Sequence, residues 1–142
     1  MLEDFRYVQR FEVPFADIDM LRHANNTAYI RWAEQARCSY FADILGEDIT
    51  GERGIILARL EIDYEKPIFY RERLALGCRV SRIGRKSFDF AYEIWSEDRK
   101  ERCAVLRSPC VAFNYVANAS FAIPDAWRER IAAYETARVA VA

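Results

Sequence analysis

The segment NTAYIRWAEQARCSYFADIL, residues 26–45, decides the fold that the sequence predicts. At 100° per residue its apolar side chains gather on one stripe, as they do in an amphipathic helix. The stripe comprises Tyr29, Ala33, Ala36, Tyr40 and Ile44. Asn25 or Asn26 would cap the start of this helix, and Gly46 would end it. We therefore expect one long helix that packs one face against another layer.

Segments with the period-two alternation of β-strands flank the predicted helix. They cover residues 6–13, 56–65, 74–82, 87–95 and 102–115. Turn-forming residues at 84–86 and 96–100 would join the last three as hairpins. A shorter helix would follow Pro124. One long helix covers only one face of a five-stranded antiparallel sheet, so the sequence predicts an α+β fold with the sheet curled around that helix.

Composition narrows the class of protein. The chain has 142 residues, 52% of them hydrophobic, and a formal net charge of −1. This predicts one folded domain over residues 1–142, with residues 136–142 as a flexible tail, and argues against intrinsic disorder. The balanced charge argues against general nucleic-acid binding. Without a long apolar run or a signal-peptide pattern, we expect no membrane association.

The cysteine and histidine content argues against metal sites and disulfides. No C-x-x-C pair occurs among Cys38, Cys78, Cys103 and Cys110, and His23 is the only histidine. Structural zinc sites need closely spaced ligands, so we expect no bound metal. Four cysteines are too few for a disulfide framework in a chain of this length, which favours reduced thiols and a cytoplasmic protein.

The loop before the long helix carries the candidate chemistry. Its sequence, FADIDMLRHANNTAY over residues 15–29, brings together two carboxylates, the histidine and two asparagines. Free amides at a helix N-terminus could polarise a carbonyl oxygen, while Asp19 attacks the carbon or activates water. The same residues could instead serve only as turn and capping residues. The residues by themselves leave both interpretations open.

Residues 17–29, DIDMLRHANNTAY, resemble the D-x-D-x-x-G-H-V-N-N-x-x-Y signature of the hotdog-fold acyl-CoA thioesterases. These enzymes belong to the 4-hydroxybenzoyl-CoA thioesterase-like superfamily, and the predicted order of strands and helices is also similar over residues 5–135. The resemblance implies the hotdog fold and hydrolysis of acyl-CoA thioesters. It also implies a homodimer, or a dimer-of-dimers tetramer, with its sites at the subunit interface.

The resemblance assigns roles by position. Asp19 matches the catalytic carboxylate, and the backbone amide near Asn26 matches the group that polarises the thioester carbonyl. His23, Asn25 and Asn26 would shape the same site or orient water, whereas Asp17 would turn the loop. Coenzyme A is both substrate and leaving group, so the resemblance implies no metal or redox cofactor.

A second similar segment is RKSF, residues 85–88, at the turn before the fourth predicted strand. It resembles the segment of the 4-hydroxybenzoyl-CoA enzyme whose basic residues bind the phosphates of the coenzyme. Clustered cations and donors are what a phosphate-rich nucleotide requires. Arg85, Lys86 and Ser87 are therefore candidate coenzyme-binding residues. A solvated basic hairpin without a ligand is the alternative.

Two positions leave the mechanism open. Arg22 stands where the signature has glycine, so it is either strained at positive φ or part of a reshaped loop that contacts an anionic substrate. Glu34 could be a helix-borne catalytic carboxylate, although it falls about 100° from the buried stripe and could pair with Arg31 or Arg37.

The sequence also allows two other functions. One is a non-catalytic acyl-CoA-binding protein of the same fold, since fold does not determine function. The other is a dehydratase or hydratase. This second alternative fits poorly, because the only histidine, His23, lies outside the body of the helix.

Overall fold

The computed structural model describes all 142 residues and contains eight strands and two α-helices. The strands are β1 (Tyr7–Glu12), β2 (Arg53–Leu57), β3 (Glu61–Tyr64), β4 (Arg73–Ile83), β5 (Ser87–Ser96), β6 (Glu101–Asn114), β7 (Ala119–Ser120) and β8 (Ala140–Val141). The helices are α1 (Asn26–Asp43) and α2 (Asp125–Tyr134), and a short 3-10 turn covers Phe15–Asp17.

The strands form one sheet in the order β1–β4–β5–β6–β2, with antiparallel neighbours along this path. β3 and β7 also pair with β6, and β8 runs parallel to the end of β4. The sheet curls around α1 and encloses a core of 26 buried hydrophobic residues. The predicted α+β architecture is confirmed, with one long helix inside a curled antiparallel sheet.

The buried face of α1 agrees with the predicted stripe except at its end. Tyr29, Ala33, Ala36 and Tyr40 are buried, whereas Ile44 is half-buried because the helix already ends at Asp43. Gly46 follows with a φ of +69°, the left-handed conformation that glycine adopts after helices. Arg37 is also buried on this face, which the apolar pattern did not predict.

The second predicted strand, residues 56–65, is two strands in the structure. β2 pairs with β6 up to Leu57 opposite Cys110, and β3 resumes the pairing at Glu61 opposite Arg107. Between them the amides of Ala58 and Arg59 both bond to the carbonyl of Pro109, at 2.9 and 3.3 Å. Proline has no amide hydrogen to donate to the ladder, so regular pairing breaks at this point.

α2 closes the sheet at the C-terminal end of α1. The Trp127 ring packs edge-on against Phe41 of α1 and Phe88 of β5, with centroid separations of 5.3 and 6.5 Å. The turn between β4 and β5 therefore lies beside the end of α1, about 27 Å from its start for 18 residues at 1.5 Å each. Neither helix is long and apolar enough to cross a membrane.

Candidate active site

The loop that precedes α1 is a tight hairpin in which Ile18 pairs with Ala24. The amide of Arg22 donates to the carbonyl of Asp19 at 3.0 Å, and the amide of Asp19 donates to the carbonyl of His23 at 3.3 Å. The amide of Ala24 then bonds to the carbonyl of Ile68 at 2.7 Å. These backbone contacts hold the loop against the body of the protein.

Asn25 is the N-cap of α1 and connects the helix to Asp19. Its Oδ1 accepts a hydrogen bond from the amide of Thr27 at 2.9 Å, which is the usual capping contact. Its Nδ2 donates to Oδ2 of Asp19 at 3.1 Å, while Oδ1 of Asp19 accepts from the amide of Leu21 at 2.8 Å. One side chain therefore fixes the position of the Asp19 carboxylate relative to the start of the helix.

Asn26 begins α1, and its backbone amide has no hydrogen-bond partner in the chain. An amide in the first turn of a helix has no intrahelical acceptor, and the helix dipole adds positive potential there. The carbonyl of Asn26 accepts a hydrogen bond from the Tyr64 hydroxyl at 2.8 Å. This contact joins β3 to the beginning of the helix and involves the carbonyl of Asn26, not its amide.

A cavity of about 210 Å³ opens between the start of α1 and the end of β3. It is lined by His23, Asn26, Tyr29, Tyr64, Lys66 and Pro67 together with two neighbours. Burial raises the pKa of Tyr29 to about 12 and raises that of Tyr64, so both phenols stay protonated at neutral pH. Asp19 and Asn25 do not line this cavity, but both belong to the loop at its rim.

Asp17 binds the loop to the outer side of α1. Its carboxylate accepts from both terminal nitrogens of Arg31, at 2.9 and 2.8 Å, and from the indole nitrogen of Trp32 at 2.9 Å. The carboxylate is almost fully buried, whereas the Arg31 side chain is 56% exposed. All of these partners are side chains of α1, so the contacts give Asp17 a structural role.

Asp17→Ala should therefore lower the free energy of unfolding by about 2 kcal/mol, since it leaves the Trp32 N–H and the Arg31 guanidinium without their acceptor. Asp17→Asn keeps one oxygen acceptor and should lose less. Urea unfolding of the parent and both variants measures this. Equal stability of the alanine variant and the parent would contradict a structural role for Asp17.

Arg22 adopts a φ of 68°, so the first of the two sequence-based alternatives is the one observed. This conformation suits glycine, the residue of the family signature, and is strained for a residue with a Cβ. Arg22→Gly should raise the free energy of unfolding by about 1 kcal/mol, because the strain disappears. Arg22→Ala retains the Cβ and should leave the stability near that of the parent. A gain in the alanine variant equal to that of the glycine variant would place the strain in the long side chain instead.

The predicted phosphate-binding residues lie far from this loop within one chain. The turn is closed by the amide of Gly84, which donates to the carbonyl of Ser87 at 2.7 Å, and Lys86 Nζ contacts Ser120 Oγ at 3.3 Å. Arg85 is exposed. This turn borders the C-terminal end of α1, whereas Asp19 lies at its N-terminal end. A single chain therefore does not bring the two halves of the predicted site together.

Sequence reasoning gave no role to Tyr64, and it named Arg37 only as an alternative ion-pair partner of Glu34. Tyr64 contacts the start of the helix, and a tyrosine at the end of a strand carried no signal for this. Arg37 is buried beside Glu34, whose carboxylate lies 3.8 Å from its guanidinium. Its position about 40° from Ala33 on the helical wheel, at the border of the predicted apolar stripe, was the available signal. Glu34 itself is exposed and belongs to this pair.

Comparison with known proteins assigns the family. The model of the thioesterase-like superfamily matches residues 13–131. The chain belongs to this superfamily. Among curated proteins, it is 25% identical over 88 residues to the uncharacterised protein YsmA of Bacillus subtilis, and the match spans 60% of the length of YsmA.

Solved structures confirm the hotdog architecture of this superfamily member. A thioesterase of Thermus thermophilus, crystallised with coenzyme A and zinc, is 30% identical with a TM-score of 0.85. The match covers 96% of this chain and 99% of the Thermus protein. The PA5185 protein of Pseudomonas aeruginosa is 28% identical with a TM-score of 0.86, and 96% of each chain is covered.

Proposed function

We propose that this protein hydrolyses acyl-CoA thioesters to a free acid and coenzyme A. The observation that carries the proposal is the start of α1, where the Asn26 amide has no partner and the N-cap Asn25 binds the Asp19 carboxylate. Membership of the thioesterase-like superfamily supports it, as does the Thermus relative crystallised with coenzyme A. The four free cysteines are in keeping with a cytoplasmic location.

In the proposed reaction the thioester carbonyl oxygen accepts a hydrogen bond from the Asn26 amide, which stabilises the oxyanion as it develops. Asp19 either takes a proton from water, whose oxygen then adds to the carbonyl carbon, or adds to that carbon itself and forms an anhydride that water opens. In both routes the carbon–sulfur bond breaks and the coenzyme leaves as its thiolate, which takes up a proton. His23 and the Asn26 side chain, at the edge of the cavity, would shape the site or orient the water.

A second copy of the chain would complete the site. β2 and β3 form an edge of the sheet, and Ile56, Leu57 and Tyr64 there are between 38% and 44% exposed. Such an edge invites pairing with another strand, and a two-fold pairing would run antiparallel. The Arg85–Lys86–Ser87 turn of one chain would then lie at the same end as Asp19 of the other. The proposal therefore includes a homodimer, with a dimer of dimers as a further possibility, in which those residues bind the coenzyme phosphates.

The alternative function is that of a protein that binds acyl-CoA without hydrolysing it. One assay separates the two: release of free coenzyme A thiol from a panel of aliphatic and aromatic acyl-CoA esters, with equilibrium binding of the same esters measured in parallel. Turnover of at least one ester well above the rate in buffer supports the proposed hydrolase. Tight binding of these esters without thiol release would replace it by the binding protein.

A further inference from the structure

One stripe of α1 runs from the candidate oxyanion amide to a buried arginine. Asn26, Ile30, Ala33 and Arg37 follow the spacing i, i+4, i+7 and i+11. Eleven residues at 100° each amount to three full turns and about 20°, so Asn26 and Arg37 face nearly the same way. Their separation along the axis is about 16 Å at 1.5 Å per residue. Because helical side chains lean towards the N-terminus, the guanidinium lies closer to Asn26 than its Cα does.

Arg37 lines a second cavity of about 280 Å³ between α1 and β2. Most of its wall is hydrophobic and includes Phe41, Ile55 and Leu57. The cavity at Asn26 opens against β3, and β2 and β3 follow each other along the same edge of the sheet beside β6. The two cavities therefore lie one after the other between α1 and this edge, which is also the edge proposed to pair with a second copy.

The charge of Arg37 is balanced within the chain only by Glu34, an exposed carboxylate that lines the same cavity. The residue is only 7% exposed, and its Nη1 donates to the Tyr92 hydroxyl at 3.1 Å. Burial raises the pKa of Tyr92, so this phenol stays neutral, and it is held in place by Ser108 Oγ at 2.6 Å. The only ion-pair partner is Glu34, at 3.8 Å and 64% exposed. A guanidinium has five donors, and burying it without a close counter-charge is costly.

We propose that this second cavity receives the distal end of the acyl group and that Arg37 binds a carboxylate there. The preferred substrates are then coenzyme A thioesters of medium-length dicarboxylic acids, with the free carboxylate at the end remote from the thioester. The inference rests on the proposed thioesterase function and specifies its substrate class. A planar guanidinium recognises a carboxylate through paired charge-assisted hydrogen bonds, and the hydrophobic wall suits the methylene chain.

The test compares matched pairs of esters with and without the distal carboxylate: suberyl-CoA against octanoyl-CoA, and succinyl-CoA against butyryl-CoA. We expect the parent protein to favour suberyl-CoA over octanoyl-CoA in kcat/KM, and to show no such preference for the short succinyl group. Arg37→Met keeps the volume of the side chain and removes its charge. It should reduce the suberyl-to-octanoyl ratio about tenfold to a hundredfold. Arg10→Met, on the opposite edge strand β1, is the control and should leave the ratio unchanged.

An unchanged ratio in a folded Arg37→Met protein would overturn this inference and leave the thioesterase function standing. If that variant does not fold, Arg37→Lys retains the charge but not the paired geometry, and should lose part of the preference. Equilibrium binding of suberyl-CoA and of octanoyl-CoA to the Asp19→Asn protein, with and without Arg37→Met, tests the same contact without turnover. If the parent hydrolyses no ester, the proposed hydrolase fails, and the ratio of the two dissociation constants still decides the role of Arg37.

Discussion

Asp19→Asn should lower kcat for acyl-CoA hydrolysis by about a hundredfold to ten-thousandfold, the range that a general base or nucleophile contributes. Asparagine has nearly the same shape and keeps an oxygen that can accept from the amide of Leu21. It cannot accept a proton from water at neutral pH and is a poor nucleophile. Thiol release at saturating ester concentration measures kcat directly, and the free amide of Asn26 is untouched, so substrate binding should persist.

The control for this variant is Asp4→Asn, which removes an exposed carboxylate outside the loop and should leave kcat unchanged. Thermal unfolding of both variants shows that each protein is folded under the conditions of the assay. Turnover of Asp19→Asn at the parental rate would remove Asp19 from the mechanism. Glu34→Gln would then test the helix-borne carboxylate that the sequence left as the alternative.

Mixing two inactive variants should restore about a quarter of the parental activity, if each site is built from two chains. One variant carries Asp19→Asn. The other carries Arg85→Ala with Lys86→Ala and is assayed at low substrate concentration, where weakened coenzyme binding reduces the rate. In a mixed dimer one site receives both defects and the other receives neither. Half of the dimers are mixed after random exchange, and half of their sites are intact.

This experiment depends on the separation of the two clusters along α1. If Asp19 and the Arg85–Lys86 turn served one site within a single chain, every chain in the mixture would be defective and no activity would return. Ile56→Asp supplies an independent test, because a charge on β2 should prevent edge pairing. The variant should then be a monomer, as measured by light scattering, and should be inactive. Val8→Asp, on the opposite edge strand β1, is its control and should remain a dimer. An active Ile56→Asp monomer would contradict a shared site.

The loop before α1 was the most predictable part of the molecule. Its signature lies within thirteen consecutive residues, and the capping of α1 by Asn25 depends on contacts two residues apart. The glycine that the signature has at position 22 made a positive φ of Arg22 one of two alternatives, and it is the one observed. Local geometry of this kind is encoded locally, so a single sequence was sufficient to predict it.

The break between β2 and β3 was not predicted, because it depends on Pro109 of β6, some fifty residues further along the chain. The burial of Arg37 was not predicted for a related reason. Its burial requires Tyr92 of β5 as a hydrogen-bond partner, and no helical pattern indicates which strand will face a given side chain. The contact between Tyr64 and the start of α1 is likewise a contact between distant segments.

The sequence by itself determined the α+β class and the long helix with its capped start, and the resemblance of its loop to the family signature made Asp19 a candidate catalytic residue. It could do so because hydrophobic periodicity and short-range motifs report on local conformation. Only the tertiary structure decided that the phosphate-binding candidates lie at the opposite end of α1 and that the Asn26 amide is left without a partner. It also decided that Arg37, on the same stripe of α1 as Asn26, is buried and lines a second cavity. Those relations are distances between segments far apart in the chain, and they exist only once the sheet has closed around the helix.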